Sequence, residues 1–249
     1  MSILVITGTG TEVGKTIATA AVASAAVRAG KRVAVVKPAQ TGLRPGEPGD
    51  VHEVQRLVPQ VFVRELYRYP EPLAPNTAAR RSGLPAPDLE VVAQEVRRLD
   101  ADYDVVLVEG AGGLLVGLDE AGRTLADLAL LLAPASVLVV AAAGLGTLNA
   151  VALTTEALAH RSLRCAGIVV GSWPSEPGLA ERCNLVDLPV VASAPLLGLL
   201  PERSGVRTPA EFAIVAQRGL HSTLGGTWDG AASAFSESRT PRSANRIAL

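Results

Sequence analysis

The 249-residue sequence predicts an α/β fold, a mostly parallel sheet flanked by helices on both faces. Three observations lead there. Short aliphatic runs of strand length alternate with stretches of helical periodicity. Hydrophobic residues make up 48% of the chain but aromatics only 3%, so alanine, valine and leucine fill the core, as they do where helices cover a parallel sheet. Glycine or a polar group follows each strand run, which is where ligands of parallel sheets bind.

In chain order the strand runs are Ile3 to Thr7, Val33 to Val36, Val105 to Val108, Val137 to Ala141 and Ile168 to Val170, with Val190 to Ala192 a weaker sixth. Helical patterns lie between them at Thr16 to Ala29, Asp50 to Val58, Leu89 to Leu99, Leu125 to Leu132 and Leu148 to His160. Residues 43–50 read as a flexible loop. Toward its end the chain turns rich in Ser, Gly, Thr and Arg. Residues 1–217 are therefore expected to form one domain, and 218–249 a largely disordered tail.

The formal net charge is -1, with no run of basic residues, which argues against nucleic acid or an anionic membrane as a partner. No basic segment precedes the first apolar run, so a signal peptide is not expected. The longest apolar stretch, near Leu125 to Gly144, is broken by Asp127, Pro134 and Ser136 and reads as a short helix and a strand. Cys165 and Cys183 lack metal spacing and are expected as reduced, mostly buried thiols of a cytoplasmic protein. His52, His160 and His221 are scattered and form no metal motif.

The first strand run leads into "TGTGTEVGKT", residues 7–16. A phosphate-binding loop of the usual G-x-x-x-x-G-K-[ST] length needs glycine at position 9, where this chain has Thr9; Gly8 stands one residue earlier. The working end is intact. Gly14 permits a left-handed turn or a close approach by phosphate, Lys15 reaches the outer phosphates and the Thr16 hydroxyl suits Mg²⁺. An alanine-rich helix follows and directs its positive end at the anion. The fold is accordingly read as P-loop NTPase-like, with a nucleoside triphosphate as ligand.

Gly8 to Thr16 also matches G-T-x-T-x-V-G-K-T, the longer loop of the dethiobiotin synthetase family, at every fixed position. The resemblance continues through "VVKPAQTG" (Val35 to Gly42), "EPLAPNTAA" (Glu71 to Ala79), "LVEGAGGLLV" (Leu107 to Val116), "LGTLN" (Leu145 to Asn149) and "APLLGLLP" (Ala194 to Pro201). It spans roughly residues 2–217 in order. Such a resemblance implies a cyclo-ligase of biotin biosynthesis, closing the ureido ring on 7,8-diaminononanoate with CO₂ (or bicarbonate), ATP and Mg²⁺. It also implies a homodimer with the active site at the interface.

By that resemblance Lys37 holds the carbamate and, with Lys15, steadies the migrating phosphoryl group. Glu12, Val13, Gly14, Lys15, Thr16, Ile17, Gly110, Ala111 and Gly112 face the nucleotide. Thr11 and Thr41 face the diamine; Thr147 and Asn149 hold its carboxylate at a helix start, or only cap that helix. Thr16, Asp50 and Glu109 are the metal candidates, since Mg²⁺ takes oxygen ligands and keeps several waters. Asp50 alternatively serves only as the N-cap of the helix beginning at Val51. Glu109 ends an apolar strand, an expensive place for an idle charge.

The chain departs from the family at Gly171, where many members carry an asparagine that reads the adenine edge. Base selection then falls to backbone groups near Gly198 and Pro201 or to stacking on Trp173, with Gly171, Ser172 and Pro201 still expected against the nucleotide, and weaker preference for adenine is expected. A partitioning-type ATPase switch is the alternative reading, but its signature lysine is Gly10 here. A glutamine-dependent amide synthetase would need a further domain. A non-catalytic nucleotide module would have to keep Lys37 and Glu109 buried together without use.

Overall fold

The computed structural model describes residues 3–230. Seven strands form one all-parallel sheet: β1 (Ile3–Gly8), β2 (Val33–Thr41), β3 (Phe62–Tyr69), β4 (Val105–Gly113), β5 (Ser136–Ala141), β6 (Arg164–Trp173) and β7 (Leu196–Pro201), in spatial order β3-β2-β4-β1-β5-β6-β7. The helices are α1 (Lys15–Arg28), α2 (Asp50–Leu57), α3 (Pro75–Ser82), α4 (Leu89–Asp102), α5 (Leu125–Leu131), α6 (Thr147–His160), α7 (Leu179–Ala192) and α8 (Pro209–Gly219).

Strand periodicity divides the core in two. Val5, Val36, Val106, Val108, Val137, Val139 and Ile168 face α4, α5, α6 and α7. Their neighbours Ile6, Val35, Leu107, Leu138, Val140 and Val169 face α1, α2 and α8. Because both faces are covered, the central strands carry unbroken aliphatic runs rather than alternating polarity. Alanines at 18, 20, 21, 23 and 25, all buried, let α1 lie close against the sheet.

Two strands escaped the sequence reading. β3 carries Arg64, Glu65 and Arg68 among its aromatics, which an edge strand tolerates because only one side is paired. β7 is a short run broken by Gly198, which hides it as a strand within "APLLGLLP". One expected strand is corrected: Val190 to Ala192 is the last turn of α7, which includes Pro189 and ends at Ser193 in a left-handed conformation. Its β-branched residues suggested a strand, and burial of Leu185, Leu188 and Ala192 along one face of the element decides for helix. The expectation for the cysteines is corrected as well, since Cys165 is half-buried and Cys183 exposed.

Residues 218–230, expected at the head of the tail, fold back on the body. Leu220 bridges Gly198 on β7, and the Trp228 N–H donates to the Leu220 carbonyl at 2.9 Å. The remainder of the expected tail, 231–249, lies outside the described residues. Among the described residues no helix is long and apolar enough to cross a membrane.

Candidate active site

The site forms where neighbouring strands part. The β2–β4 ladder ends at Val36 opposite Val108, while β2 continues along β3 to Thr41 opposite Tyr69. Lys37 and Glu109 are the first residues beyond that parting. Glu109 also lies beside Ile6 of β1, in the middle of the sheet, and is fully buried. Sheet geometry thus forces a cation and a carboxylate into one water-poor gap.

They pair there. Lys37 Nζ lies 2.9 Å from Glu109 Oε1 and 2.5 Å from Asp50 Oδ2, and donates to the Gly110 carbonyl at 2.9 Å. Thr16 Oγ1 donates to the same Glu109 Oε1 at 3.0 Å. The other oxygen, Glu109 Oε2, is buried with no hydrogen-bond partner. Burial opposes the charge on Lys37, but Glu109 and Asp50 outweigh it and hold its pKa above the usual lysine value. Burial likewise opposes the Asp50 charge, and Lys37 overcomes it, so this carboxyl stays below its ordinary range.

Asp50 is not the N-cap of α2. That position is Gly49, and Asp50 is the first helical residue, its N–H donating to Gln40 Oε1 at 2.9 Å. Its carboxylate is therefore spared from capping and faces Lys37.

The loop between β1 and α1 completes the cleft. Thr9 N–H donates to the Val140 carbonyl at 2.9 Å, tying the loop to the end of β5. Glu12 at φ 59° and Gly14 at φ 90° turn the backbone back on itself. No side chain caps the first turn of α1, so its N–H groups stand available to an anion. Lys15 Nζ donates to the Gly10 carbonyl at 2.7 Å. Burial and then the Lys37 charge push the Lys15 pKa down, against the pull of Glu109 and Asp50.

A cleft of about 450 Å³ opens over these groups, lined by Thr11, Glu12, Gly14, Lys15, Thr16, Lys37, Gln40, Thr41, Asp50, Ala111 and Gly112. Lys15 and Lys37 thus face one space. Glu109 and Gly110 lie buried beneath it. Gln40 was not singled out in the sequence, although it stands within "KPAQTG"; its amide is buried between β2 and the start of α2.

Other sequence candidates sit elsewhere. Val13 and Ile17 pack into the core face beneath the loop. Gly171 meets the loop from below: a Cβ on it would stand 2.2 Å from the Val13 carbonyl oxygen, and one on Gly14 would stand 2.5 Å from the Gly171 oxygen. This glycine provides close backbone contact with the phosphate loop. Ser172 is exposed. Pro201 and Trp173 line a second cleft of about 810 Å³ with Glu202, Arg203 and Arg207. Gly198 is corrected as a base-reading candidate, because it is buried inside β7 and bridged to Leu220.

Thr147 and Asn149 begin α6 away from both clefts. Neither caps it, since the N-cap is Gly146 at φ 92° with no side-chain cap. Thr147 is buried, and its Oγ1 has no hydrogen-bond partner; Asn149 is exposed.

Comparison with known proteins bears on the fold and the family. A family model described as "AAA domain" matches residues 2–210. The chain is 60% identical over 229 residues to the ATP-dependent dethiobiotin synthetase BioD of Streptomyces avermitilis, covering 92% of this chain and 96% of the relative. It is 61% identical over 228 residues to that of Saccharopolyspora erythraea, covering 92% and 99%. Among solved structures, the cell division ATPase MinD of Pyrococcus furiosus aligns with TM-score 0.53 at 18% identity over 88% of this chain and 91% of that one. FtsY of Thermotoga maritima aligns with TM-score 0.54 at 16% identity over 86% and 68%; at such identities these two speak for the P-loop NTPase fold alone. By sequence, the chain belongs to the dethiobiotin synthetase family.

Proposed function

We propose that the chain is a cyclo-ligase that closes the ureido ring of dethiobiotin from 7,8-diaminononanoate and CO₂ at the expense of ATP. One observation carries this reading: the Lys37 ammonium, fixed by Glu109, Asp50 and the Gly110 carbonyl, faces the same cleft as the phosphate-loop lysine, Lys15. A lysine held this way neutralises charge at a chosen point without leaving it.

In the first step one amine of the substrate adds to CO₂ and loses a proton, giving a carbamate. Lys37 and the Thr41 hydroxyl hold that anion, while Lys15 and the N–H groups of the loop hold the β- and γ-phosphates. A carbamate oxygen then attacks the γ-phosphorus and ADP departs, leaving a carbamic–phosphoric anhydride. Finally the second amine attacks the carbonyl carbon, inorganic phosphate leaves and the ring closes. The chain's contribution is positioning and neutralisation of charge.

Mg²⁺ fits the oxygen donors present. Thr16 Oγ1 lies 3.0 Å from Glu109 Oε1, which shares the Lys37 ammonium with Asp50 Oδ2, and Glu109 Oε2 is an orphaned buried acceptor. Among the described residues no three His, Cys, Asp or Glu side chains are grouped so as to hold a metal ion by themselves; Mg²⁺ needs only one or two carboxylates and fills its shell with water and phosphate. Thr16, Asp50 and Glu109 would hold the ion, which when bound neutralises charge on the terminal phosphates.

Thr147 and Asn149 lie outside the cleft of their own protomer. We assign them to the substrate carboxylate of a partner subunit in a homodimer. Support comes from the unpartnered Thr147 hydroxyl and from exposed apolar residues nearby: Leu145 just before α6, Leu153 on α6, and Leu179, Val186 and Val190 on α7. The cytoplasm is the compartment proposed for the reaction.

The test is phosphate release with diamine and bicarbonate present or absent, in wild type and Lys37→Ala. Release that requires both co-substrates and collapses in the variant supports the assignment. Release indifferent to the diamine overturns it and favours a switch ATPase.

A further inference from the structure

Lys37 finds Asp50 on a different element, at the end of an irregular segment, and something must hold that segment in place. The structure assigns this task to Arg68 on the edge strand β3, aligned by Glu65. We infer that Arg68 is a positioning residue for the active site: it pins the 43–49 loop and thereby sets the Asp50 carboxylate. Neither Arg68 nor Glu65 lines the cleft.

The guanidinium is itself fixed before it fixes anything else. Arg68 Nε donates to Glu65 Oε1 at 2.6 Å and Nη2 to Glu65 Oε2 at 2.7 Å, a two-pronged pairing that sets the plane of the group. Only 16% of the Arg68 side chain and 14% of the Glu65 side chain are exposed, so the pair is sheltered from the screening that weakens surface ion pairs. The remaining nitrogen, Nη1, donates to the Arg44 carbonyl at 2.9 Å and to the Glu47 carbonyl at 2.7 Å. It thus grips both ends of the turn at 44–47, which is closed by Glu47 N–H on the Arg44 carbonyl at 3.2 Å.

Two residues further on, Gly49 passes tightly over the same pair. A Cβ there would stand 2.8 Å from Gln40 Oε1, 2.9 Å from Arg68 Nη2 and 2.9 Å from Glu65 Oε2. The next residue is Asp50, whose N–H meets Gln40 Oε1 and whose carboxylate meets Lys37. Arg68 therefore connects to the reacting centre through one short backbone path, Glu47 to Asp50. Lysine cannot replace it. One ammonium offers a point charge, not a fork that binds a carboxylate and two carbonyls at once.

This inference rests on the proposed role of Asp50, and its test separates the two. Five proteins are compared: wild type, Arg68→Lys, Asp50→Asn, the double variant, and Glu65→Gln as a milder version of Arg68→Lys. Diamine-dependent turnover is measured against nucleotide and Mg²⁺ concentration. Amide hydrogen exchange of residues 43–52 is measured without nucleotide or metal. Arg68→Lys should raise the half-saturating Mg²⁺ concentration and lower kcat, about 10- to 100-fold in combination, since a displacement of about 1 Å costs on that order. Its melting temperature should change little, while exchange at Asp50 and His52 quickens. In the Asp50→Asn background the same change should alter turnover by less than about twofold, because Arg68 acts through that carboxylate. Full additivity, or unchanged exchange across 43–52, overturns the inference alone. A silent Asp50→Asn overturns the assignment of Asp50 and the inference with it.

Discussion

Replacing Lys37 with methionine should destabilise the protein far more than an ordinary lysine substitution. The side chain of Lys37 is 3% exposed and that of Glu109 0%, whereas 35% of the Asp50 side chain reaches solvent. When the ammonium is removed, Asp50 rehydrates, but Glu109 is left as a buried charge with only the Thr16 hydroxyl near Oε1. Stranding one partner of a buried pair costs about 3–5 kcal/mol. For a domain of this size about 1 kcal/mol moves the melting temperature by about 2–4 °C, which gives a fall of about 6–20 °C. Thermal and urea denaturation of nucleotide-free protein at neutral pH measure it. Adding Glu109→Gln should restore at least half of the loss. A Lys37→Met protein that is natively folded and within about 1 kcal/mol of wild type would show that the gap is wet, and the argument from burial would fail.

Gly171→Ala should weaken triphosphate binding about tenfold whatever the base, because the new Cβ pushes on the Val13 carbonyl at an overpacking cost of about 1–3 kcal/mol; isothermal titration with ATP, CTP and inorganic tripolyphosphate checks this, and a loss confined to ATP contradicts it. Wild type should use ATP, CTP and GTP with similar kcat/KM, and a strong ATP preference would show that another group reads the adenine. Thr147→Val should leave stability unchanged or raise it by about 1 kcal/mol, since it removes a buried hydroxyl without a partner, yet raise KM for the diamine; an unchanged KM removes Thr147 from the substrate site. The pH profile follows from three groups. Asp50 lies below 3.8, so its share of stability is complete above that value and lost as pH falls through its lowered pKa. Lys37 lies above 10.5, so its share is complete below that value and lost as pH rises through its raised pKa. Lys15 lies below 10.5 and is the first of the two lysines to lose its proton, so nucleotide affinity should decline with rising pH before stability does, and Lys15→Arg should remove that limb.

What the sequence determined by itself were the properties carried by local pattern. Uninterrupted aliphatic runs can be buried on both faces only in a parallel sheet, so β1, β4, β5 and the front of β2 were legible. Gly14, Lys15 and Thr16 announce an anion site because the helix that follows them is built from neighbouring residues. Motif order identified the family, and Lys37 and Glu109 came with it. What only the tertiary structure decided depends on which distant segments meet. β3 went unread because an edge strand tolerates charge, and with it went Arg68, whose partners are carbonyls 24 and 21 residues away. Val190 to Ala192 carry strand-forming residues but were claimed by a helix, which buries Leu185 and Leu188. Gly171 looked like a missing asparagine in one dimension and proved to be a backbone seat for the phosphate loop in three. Asp50 could be a cap or a ligand from sequence, and the structure removes the first reading, because Gly49 takes the cap. Periodicity reports how one element buries itself, whereas contacts between the ends of different strands exist only once the sheet has been assembled.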